Sequence, residues 1–85
     1  MSNITMYSKK TCPFCVRVEH LLKAKGVSNL KKIEVDTNQD ELQIMIARTG
    51  RRSVPQIFIG DTHVGGFDDL AALNAAGKLD TLLNN

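Results

Sequence analysis

The hydrophobic and polar positions in the first part of the chain change from the period of a strand to the period of a helix and back. Residues 4–7 alternate apolar and less apolar side chains, which predicts a β-strand. The next apolar positions follow the spacing of one face of an amphipathic helix: Phe14, Val18, Leu21 and Leu22. Pro13 suits the first position of this helix, with Cys12 as its N-cap, and Gly26 ends it. Residues 30–35 then predict a second strand.

A second helix is predicted after this strand. Asn38, with Glu41 three residues later, resembles a capping box, in which each residue satisfies a free backbone N–H of the first turn. Apolar side chains then mark one helical face: Leu42, Met45 and Ile46. Gly50 is a suitable C-terminal cap because glycine adopts the left-handed conformation at low cost. These signals together predict a second amphipathic helix.

The last third of the chain predicts a hairpin followed by a helix. Residues 57–59 form a short apolar run typical of a buried strand. The Gly60-Asp61 pair is a two-residue turn that leads into a fourth strand at residues 62–64, which the Gly65-Gly66 pair breaks. A final helix follows, with two acidic residues in its first turn, two leucines on its core face and a glycine cap: Asp68, Asp69, Leu70, Leu73 and Gly77. Three leucines indicate a terminal helical turn: Leu79, Leu82 and Leu83.

The order of the predicted elements is β-α-β-α-β-β-α, which belongs to the α/β class of folds. The first β-α-β unit places two parallel strands side by side through a crossover helix. The hairpin adds antiparallel strands, so we expect a four-stranded mixed sheet with helices on both faces. Because the chain has 85 residues and neither a linker nor a repeat, we expect one domain over residues 1–85.

Composition narrows the class of protein. A hydrophobic content of 42% supports a core, although 85 residues is a marginal size for a domain. The net charge of +2 and the pI near 8.7 do not indicate a nucleic-acid-binding surface. Residues 1–5 lack the regions of a secretory signal, and no apolar run reaches the about 20 residues needed to cross a membrane. We therefore expect a cytoplasmic protein that binds neither nucleic acid nor membranes.

The spacing of Cys12 and Cys15 indicates redox chemistry. A Cys-x-x-Cys pair closes too small a loop to stabilise a fold, and in a reducing compartment it is more often catalytic or metal-binding than permanently oxidised. At a helix N-terminus, the N–H groups of Phe14 and Cys15, the helix dipole and the Lys9 ammonium each favour a Cys12 thiolate. We therefore predict that Cys12 attacks a disulfide and that Cys15, which should be more buried, resolves the mixed disulfide.

Two other interpretations of the cysteine pair stay open. The pair could be half of a structural zinc site, which needs four ligands. The remaining candidates would be His20 and His63, whose positions show no paired spacing. The pair could also be chemically inert, although a cysteine-capped helix that begins with proline after a strand is a specific arrangement. We expect no metal, and we expect His20 and His63 to be exposed or to pack against other residues.

Three segments together resemble the glutaredoxin family. Residues 12–15, Cys-Pro-Phe-Cys, follow a strand and a Lys-x-Thr-Cys loop and are similar to its active site. Residues 53–55, Ser-Val-Pro, resemble its Thr-Val-Pro motif. Residues 65–70, Gly-Gly-Phe-Asp-Asp-Leu, resemble its Gly-Gly-Cys-x-Asp segment. The resemblance covers essentially the whole chain in order and spacing, and the chain is most similar to the short bacterial dithiol members.

The resemblance implies a thioredoxin fold and a glutathione-dependent thiol–disulfide oxidoreductase. In that reaction, the Cys12 thiolate attacks a protein–glutathione mixed disulfide or a protein disulfide, Cys15 resolves it, and glutathione regenerates the reduced enzyme. Glutathione is then the co-substrate, and the chemistry requires no metal. The implied partners are glutathionylated or disulfide-containing proteins, including ribonucleotide reductase, and the expected state is a monomer. A cis Val54–Pro55 bond is also implied, which would turn the Val54 backbone toward the substrate.

The resemblance further implies a glutathione groove beside Cys12, formed by the matching positions: Lys9, Thr11, Phe14, Arg52, Ser53, Val54, Pro55, Gly66, Phe67 and Asp68. Lys9 and Arg52 would hold the glycyl carboxylate. The amides of Phe67 and Asp68 would hold the γ-glutamyl carboxylate, and the Asp68 side chain would hold the ammonium. The alternative for the charged residues is a solvated surface, which we expect for Lys10 and Arg51, or a helix cap, which we expect for Asp69.

The chain departs from the family pattern at four positions. Phe14 replaces the commoner tyrosine and Ser53 replaces threonine. Phe67 lies where many members carry a further cysteine, so the chain lacks that third thiol. Many members have a polar or basic partner for the glycyl carboxylate on the second helix, and the matching position here is Leu42. The resemblance therefore does not imply a contact between Leu42 and the glycyl carboxylate in this chain.

Two related functions are the alternatives. A redoxin reduced by thioredoxin reductase would share the fold and the cysteines but would lack the glutathione groove. The absence of a tryptophan before Cys12 and of a Cys-Gly-Pro-Cys motif argues against thioredoxin itself. An iron–sulfur carrier would use Cys12 from two subunits together with two glutathione molecules. Monothiol members with Cys-Gly-Phe-Ser are known for that function, and we expect Pro13 to hinder it here.

Overall fold

The structure, a computed structural model, describes residues 3–84 and confirms the predicted order of elements. The strands are β1 (Ile4–Ser8), β2 (Leu30–Glu34), β3 (Gln56–Ile59) and β4 (Thr62–Gly65). The helices are α1 (Pro13–Ala24), α2 (Gln39–Thr49), α3 (Phe67–Ala75) and the short α4 (Leu79–Leu83). Within residues 3–84, none of these helices combines the length and the apolar character that membrane crossing requires.

The four strands form one mixed sheet in the order β2-β1-β3-β4. β1 and β2 are parallel, as a crossover helix between them requires, and β3 is antiparallel to both β1 and β4. Ile57 pairs with Gly65 but Phe58 pairs with His63, so β4 contains one extra residue, Val64, at a β-bulge. This bulge lies where β4 approaches the end of the sheet that carries the cysteine loop.

The alternation of side chains along the strands separates two hydrophobic layers. On one face, β1 and β3 pack against α1, α3 and α4 through a core that includes Ile4, Met6, Ile57, Val18, Leu22, Leu70, Leu79 and Leu83. On the opposite face, the same two strands pack against α2 through a smaller core of Tyr7, Phe58, Val35 and Met45. The prediction of helices on both faces of a mixed sheet is therefore confirmed.

The helix ends follow the local signals in the sequence. Cys12 is the N-cap of α1, and Asn38 is the N-cap of α2, where its side chain accepts a hydrogen bond from the Glu41 N–H at 3.2 Å. α2 ends at Gly50, whose φ of 71° is left-handed. α1 ends at Ala24, two residues before Gly26. Local signals therefore set the ends of α1 and α2, and they place Cys12 immediately before the first turn of α1.

The prediction that Phe14 belongs to the buried face of α1 was wrong. The buried face consists of Cys15, Val18 and Leu22, and Cys15 lies one step of about 100° round the helix from Phe14. The Phe14 side chain is 49% exposed. Its ring lies 6.0 Å from the Phe67 ring, centroid to centroid, so Phe14 contributes to the surface beside the cysteines.

Candidate active site

Cys12 and Cys15 form a disulfide at the N-terminus of α1, with their Cα atoms 5.2 Å apart. Cys12 is half-buried, whereas Cys15 is only 3% exposed and belongs to the core beneath the helix. The difference arises because Cys12 precedes the first turn while Cys15 is the first residue of the buried face. A molecule that approaches the disulfide from solvent can therefore reach the sulfur of Cys12 more readily than that of Cys15.

The backbone of the first helical turn is directed at Cys12. The Cys15 N–H donates a hydrogen bond to the Cys12 Sγ at 3.2 Å, and the Val16 N–H donates to the Cys12 carbonyl oxygen at 3.1 Å. The first turn of a helix has N–H groups without helical partners and carries the positive end of the helix dipole. Once the disulfide is reduced, this environment favours a thiolate on Cys12, which is the nucleophilic form of a thiol.

A groove of about 250 Å³ lies next to the cysteine loop, and three segments that are distant in sequence line it. Seven of the residues predicted for the glutathione groove are among them: Phe14, Ser53, Val54, Pro55, Gly66, Phe67 and Asp68. The Val54–Pro55 peptide bond is cis, as the resemblance implied. The tertiary structure therefore brings the three sequence motifs to one surface.

Lys9 and Arg52 lie together in a separate cavity of about 330 Å³. Leu42 also lines that cavity, so the position where many relatives offer a polar group contributes an apolar surface here. Thr11 is exposed in the loop before Cys12 and lines neither concavity. The predicted residues are thus divided between a groove next to α1 and α3 and a cavity next to α2, which Asp36 and Gln39 also line.

Arg51 and Asp69 belong to the groove, although the sequence did not assign them to it. Asp69 accepts a hydrogen bond from the Gly66 N–H at 2.9 Å and from Arg51 Nη1 at 3.3 Å. Asp69 is therefore a helix cap, as expected, and it also holds Arg51 at the groove. A side chain at Gly65, whose φ is 113°, would collide with the Asp69 carboxylate. The Gly-x-x-Asp spacing signalled the cap, but no local signal indicated Arg51.

The ionisation of Asp69 follows from these contacts. The hydrogen bond from the Gly66 N–H, followed by the interaction with the Arg51 guanidinium, lowers the pKa of Asp69 below its ordinary value of 3.8. The Asp69 carboxylate therefore stays charged at neutral pH and keeps Arg51 in place. The side chains of Arg51 and Asp69 are both about half exposed, so the pair stabilises the fold only modestly.

Asp69→Asn is expected to reduce the free energy of unfolding at pH 7 by about 0.5–1 kcal/mol, since it weakens the cap and the ion pair. A lowered pKa in the folded state means that this contribution is present above pH 3.8 and is lost as the pH falls through the folded-state pKa. Urea unfolding at pH 7 and pH 3 should show a smaller difference between variant and wild type at pH 3. Asp61→Asn, in the β3–β4 turn, is the control, and an undiminished difference at pH 3 would contradict this account.

The two histidines have the roles expected of them. His20 is exposed on α1, whereas His63 is half-buried and its ring stacks on Phe58 with the centroids 5.0 Å apart. Burial, followed by the positive charge of Arg51, lowers the pKa of His63. No group of three or more histidine, cysteine or acidic side chains in the described part of the chain is placed to hold a metal ion.

Volume alone does not identify the site. A larger concavity of about 470 Å³ lies at the far end of α1, lined in part by Gly26, Val27 and Leu30. It contains no cysteine, whereas the smaller groove lies beside an accessible sulfur. A mixed sheet of this topology, with a cysteine pair of which the first is accessible at the start of the first helix, defines a thiol–disulfide oxidoreductase of the thioredoxin fold.

Comparison with known proteins gives the family. The family model described as Glutaredoxin matches residues 4–64. Glutaredoxin 3 of Escherichia coli strain K12 is 51% identical over 83 residues, which cover 98% of this chain and 99% of the relative. A glutaredoxin of Neisseria meningitidis serogroup A is 49% identical over 84 residues, covering 99% of both chains. The chain belongs to the glutaredoxin family of glutathione-dependent thiol–disulfide oxidoreductases.

Solved structures show the same fold. A crystal structure of a buckwheat glutaredoxin–glutathione complex superposes with a TM-score of 0.87 at 32% identity and covers 98% of this chain and 77% of its own. The solution structure of a glutaredoxin from Brucella melitensis gives a TM-score of 0.84 at 43% identity, with 98% and 89% covered. The similarity therefore extends over nearly the entire chain, including all three motifs.

Proposed function

We propose that this protein reduces protein–glutathione mixed disulfides and protein disulfides at the expense of glutathione, with Cys12 as the attacking thiol and Cys15 as the resolving thiol. The observation that carries this assignment is the asymmetry of the disulfide. The Cys12 sulfur is accessible and receives the Cys15 N–H, whereas the Cys15 side chain is buried. Only the accessible sulfur can align with the sulfur–sulfur bond of an external disulfide.

The monothiol route uses Cys12 alone. The Cys12 thiolate attacks the glutathionyl sulfur of the mixed disulfide, a Cys12–glutathione disulfide forms, and the partner protein leaves as its thiolate. A free glutathione thiolate then attacks the bound glutathionyl sulfur. Glutathione disulfide is released and the Cys12 thiolate is restored. One free glutathione thiol is therefore oxidised for each partner thiol that is reduced, and the transferred glutathionyl sulfur stays at the oxidation level of a disulfide.

The dithiol route uses both cysteines. The Cys12 thiolate attacks a protein disulfide and forms a mixed disulfide with one of its sulfurs, while the other sulfur leaves as a thiolate. The Cys15 thiolate then attacks the Cys12 sulfur, which releases the second protein thiolate and forms the Cys12–Cys15 disulfide that the structure contains. Two glutathione molecules reduce this disulfide and leave as glutathione disulfide.

The glutathione peptide is proposed to bind in the groove between Phe14, the Ser53–Pro55 segment and the start of α3. The α3 N-terminus offers the amides of Phe67 and Asp68 to the γ-glutamyl carboxylate, and the exposed Asp68 carboxylate is available for the ammonium. The start of α3 lies close to the Ser53–Pro55 segment, since a Cβ at Gly66 would lie in ordinary contact with the Pro55 carbonyl oxygen, at 3.5 Å.

The other end of glutathione is proposed to reach the cavity next to α2. Lys9 and Arg52 line that cavity together and offer two positive charges to the glycyl carboxylate. Thr11, in the loop between Lys9 and Cys12, would lie beside the peptide. Leu42 offers no hydrogen bond there, so Lys9 and Arg52 supply the positive charge for the carboxylate, and they do so beside Asp36 and Gln39.

The cellular setting is proposed from the chemistry. A cycle that ends on glutathione disulfide requires a compartment in which glutathione is kept reduced, which points to the cytoplasm. The chain is proposed to act there as one monomeric domain. Glutathionylated and disulfide-containing proteins are the proposed partners, and ribonucleotide reductase is one of them by family resemblance.

A coupled assay tests the proposed function. With the mixed disulfide of glutathione and a small thiol, glutathione, glutathione reductase and NADPH, the wild-type protein is expected to turn over about 1–10³ times per second. Oxidation of NADPH, followed by absorbance, measures the rate. No turnover here, together with turnover of a protein disulfide by thioredoxin reductase, would replace the proposal with a redoxin. A visible-absorbing protein on purification would instead indicate an iron–sulfur carrier.

A further inference from the structure

A buried amide joins the groove to the edge of the sheet. Gln56 follows Pro55 as the first residue of β3, and its side chain is only 1% exposed. Its Nε2 donates hydrogen bonds to the Ser53 carbonyl oxygen at 3.1 Å and to the Ser53 Oγ at 3.4 Å. Its Oε1 lies 2.8 Å from the Nε2 of His63 on β4. A polar side chain is thus buried at the base of the groove with partners on both sides.

The direction of these hydrogen bonds is determined by their acceptors. The Ser53 carbonyl oxygen can only accept, so the amide nitrogen of Gln56 must face Ser53 and its oxygen must face His63. His63 must then donate through Nε2. Both the neutral ring with its proton on Nε2 and the protonated ring can do this. The chain of donors therefore runs from His63 through Gln56 to Ser53.

His63 is held in position by its own contacts. Its ring stacks on Phe58, its direct partner across the β3–β4 ladder, and the bulge at Val64 follows immediately. The charged groups that act on His63 are Arg48, Arg51 and Asp69. The packing on Phe58 orients the imidazole edge toward Gln56, so that the donor nitrogen does not need to be ordered by a ligand.

The segment that receives these hydrogen bonds is irregular, and the other hydrogen bonds at its start join Arg51 to Thr49 and Asp69. Residues 51–55 belong to neither a helix nor a strand, so no ladder of backbone hydrogen bonds fixes them. Pro55 has no N–H to donate. The two hydrogen bonds from Gln56 to Ser53 act on the residue immediately before Val54, which lines the groove.

We propose that His63 is a positioning residue for glutathione binding: through Gln56 it holds Ser53, and thereby sets the backbone of Val54 that the glutathione peptide meets. This inference rests on the proposed function, because the Val54 backbone matters only if a peptide binds along it. His63 does not touch the reacting sulfurs. Its loss therefore affects binding of glutathionylated substrate more than the rate of the thiol–disulfide exchange.

The test compares two variants that each lose one side-chain hydrogen bond on the same face of the sheet. His63→Phe keeps an aromatic ring against Phe58 but removes the donor to Gln56. Tyr7→Phe removes the 2.9 Å hydrogen bond that Arg48 Nη1 donates to the Tyr7 hydroxyl, and neither residue lines the groove. His63→Phe is expected to raise the KM for the glutathione mixed disulfide about three- to tenfold with kcat within about twofold, whereas Tyr7→Phe leaves both constants unchanged.

Three further variants test whether His63 acts through Gln56. Gln56→Leu is expected to raise the KM by a similar factor, and the double variant with His63→Phe no further, since both act through one chain of hydrogen bonds. His63→Gln, which retains a side-chain donor, is expected to restore part of the loss. A KM for His63→Phe within twofold of the wild-type value would overturn the proposal. It would also be overturned if Tyr7→Phe changed KM and kcat as much as His63→Phe does while the two variants had the same thermal midpoint.

A measurement without substrate separates this inference from the proposed function. Hydrogen exchange of the Val54 amide in the oxidised protein is expected to be about three- to tenfold faster in His63→Phe than in wild type, and unchanged in Tyr7→Phe. If the wild type proved inactive with glutathione, the proposed function would fail. The exchange rate of the Val54 amide would still show whether His63 holds residues 51–55 in place. Equal exchange in all three proteins would contradict the inference.

Discussion

Cys12→Ser is expected to lower turnover of a glutathione mixed disulfide by a factor on the order of 10⁴. A serine hydroxyl is not ionised at neutral pH, and it cannot form the disulfide with glutathione that the reaction passes through. Cys15 does not replace Cys12, because Cys15 is 3% exposed and belongs to the core beneath the helix. The coupled assay with glutathione reductase and NADPH measures the loss.

Cys15→Ser provides the matched control. It is expected to retain turnover of the mixed disulfide, since that route returns to the Cys12 thiolate without Cys15, and to lose most of its activity toward a protein disulfide. Circular dichroism of both variants would show whether the fold is intact. Loss of mixed-disulfide turnover in Cys15→Ser, with the fold preserved, would contradict the assignment of Cys12 as a sufficient nucleophile.

Leu70→Ala is expected to produce the largest loss of stability among the substitutions considered, about 3 kcal/mol in the free energy of unfolding. Leu70 is fully buried at 0% exposure and is the buried residue of α3, the helix whose N-terminus forms one wall of the groove. For a domain of this size, that loss corresponds to a fall of roughly 12–24 °C in the thermal midpoint. Thermal and urea unfolding of the oxidised protein measure it.

Leu73→Ala, on the same helix, is the comparison for this substitution. Leu73 is only half-buried at the edge of the same core, so its truncation removes less buried surface and is expected to cost about 1 kcal/mol. Equal losses for the two leucines would mean that α3 is not anchored through Leu70. Asp69→Asn leaves Leu70 buried in the core, which is why its expected loss of stability is well below that of Leu70→Ala.

The local elements of the fold were predictable because their causes lie within a few residues of one another. A cysteine N-cap before Pro13 starts α1, the Asn38 and Glu41 pair starts α2, and Gly50 ends it, all through contacts that span one helical turn. The Gly60-Asp61 turn joins β3 and β4 for the same reason. The burial of Cys15 relative to Cys12 was predicted from its place one turn inside the helix, although the hydrophobic period assigned Phe14 rather than Cys15 to the buried face.

Only the tertiary structure decided how these elements build a site. It exposed Phe14 beside Phe67, paired Arg51 with Asp69 across 18 residues of sequence, and placed Lys9 and Arg52 in a cavity separate from the groove. These contacts depend on the strand order and on how the loops leave the sheet, which no local period encodes. The sequence by itself therefore determined the elements, the reactive cysteines and the family resemblance, whereas the packing of α2 and α3 against the sheet determined which charged side chains meet around the cysteines.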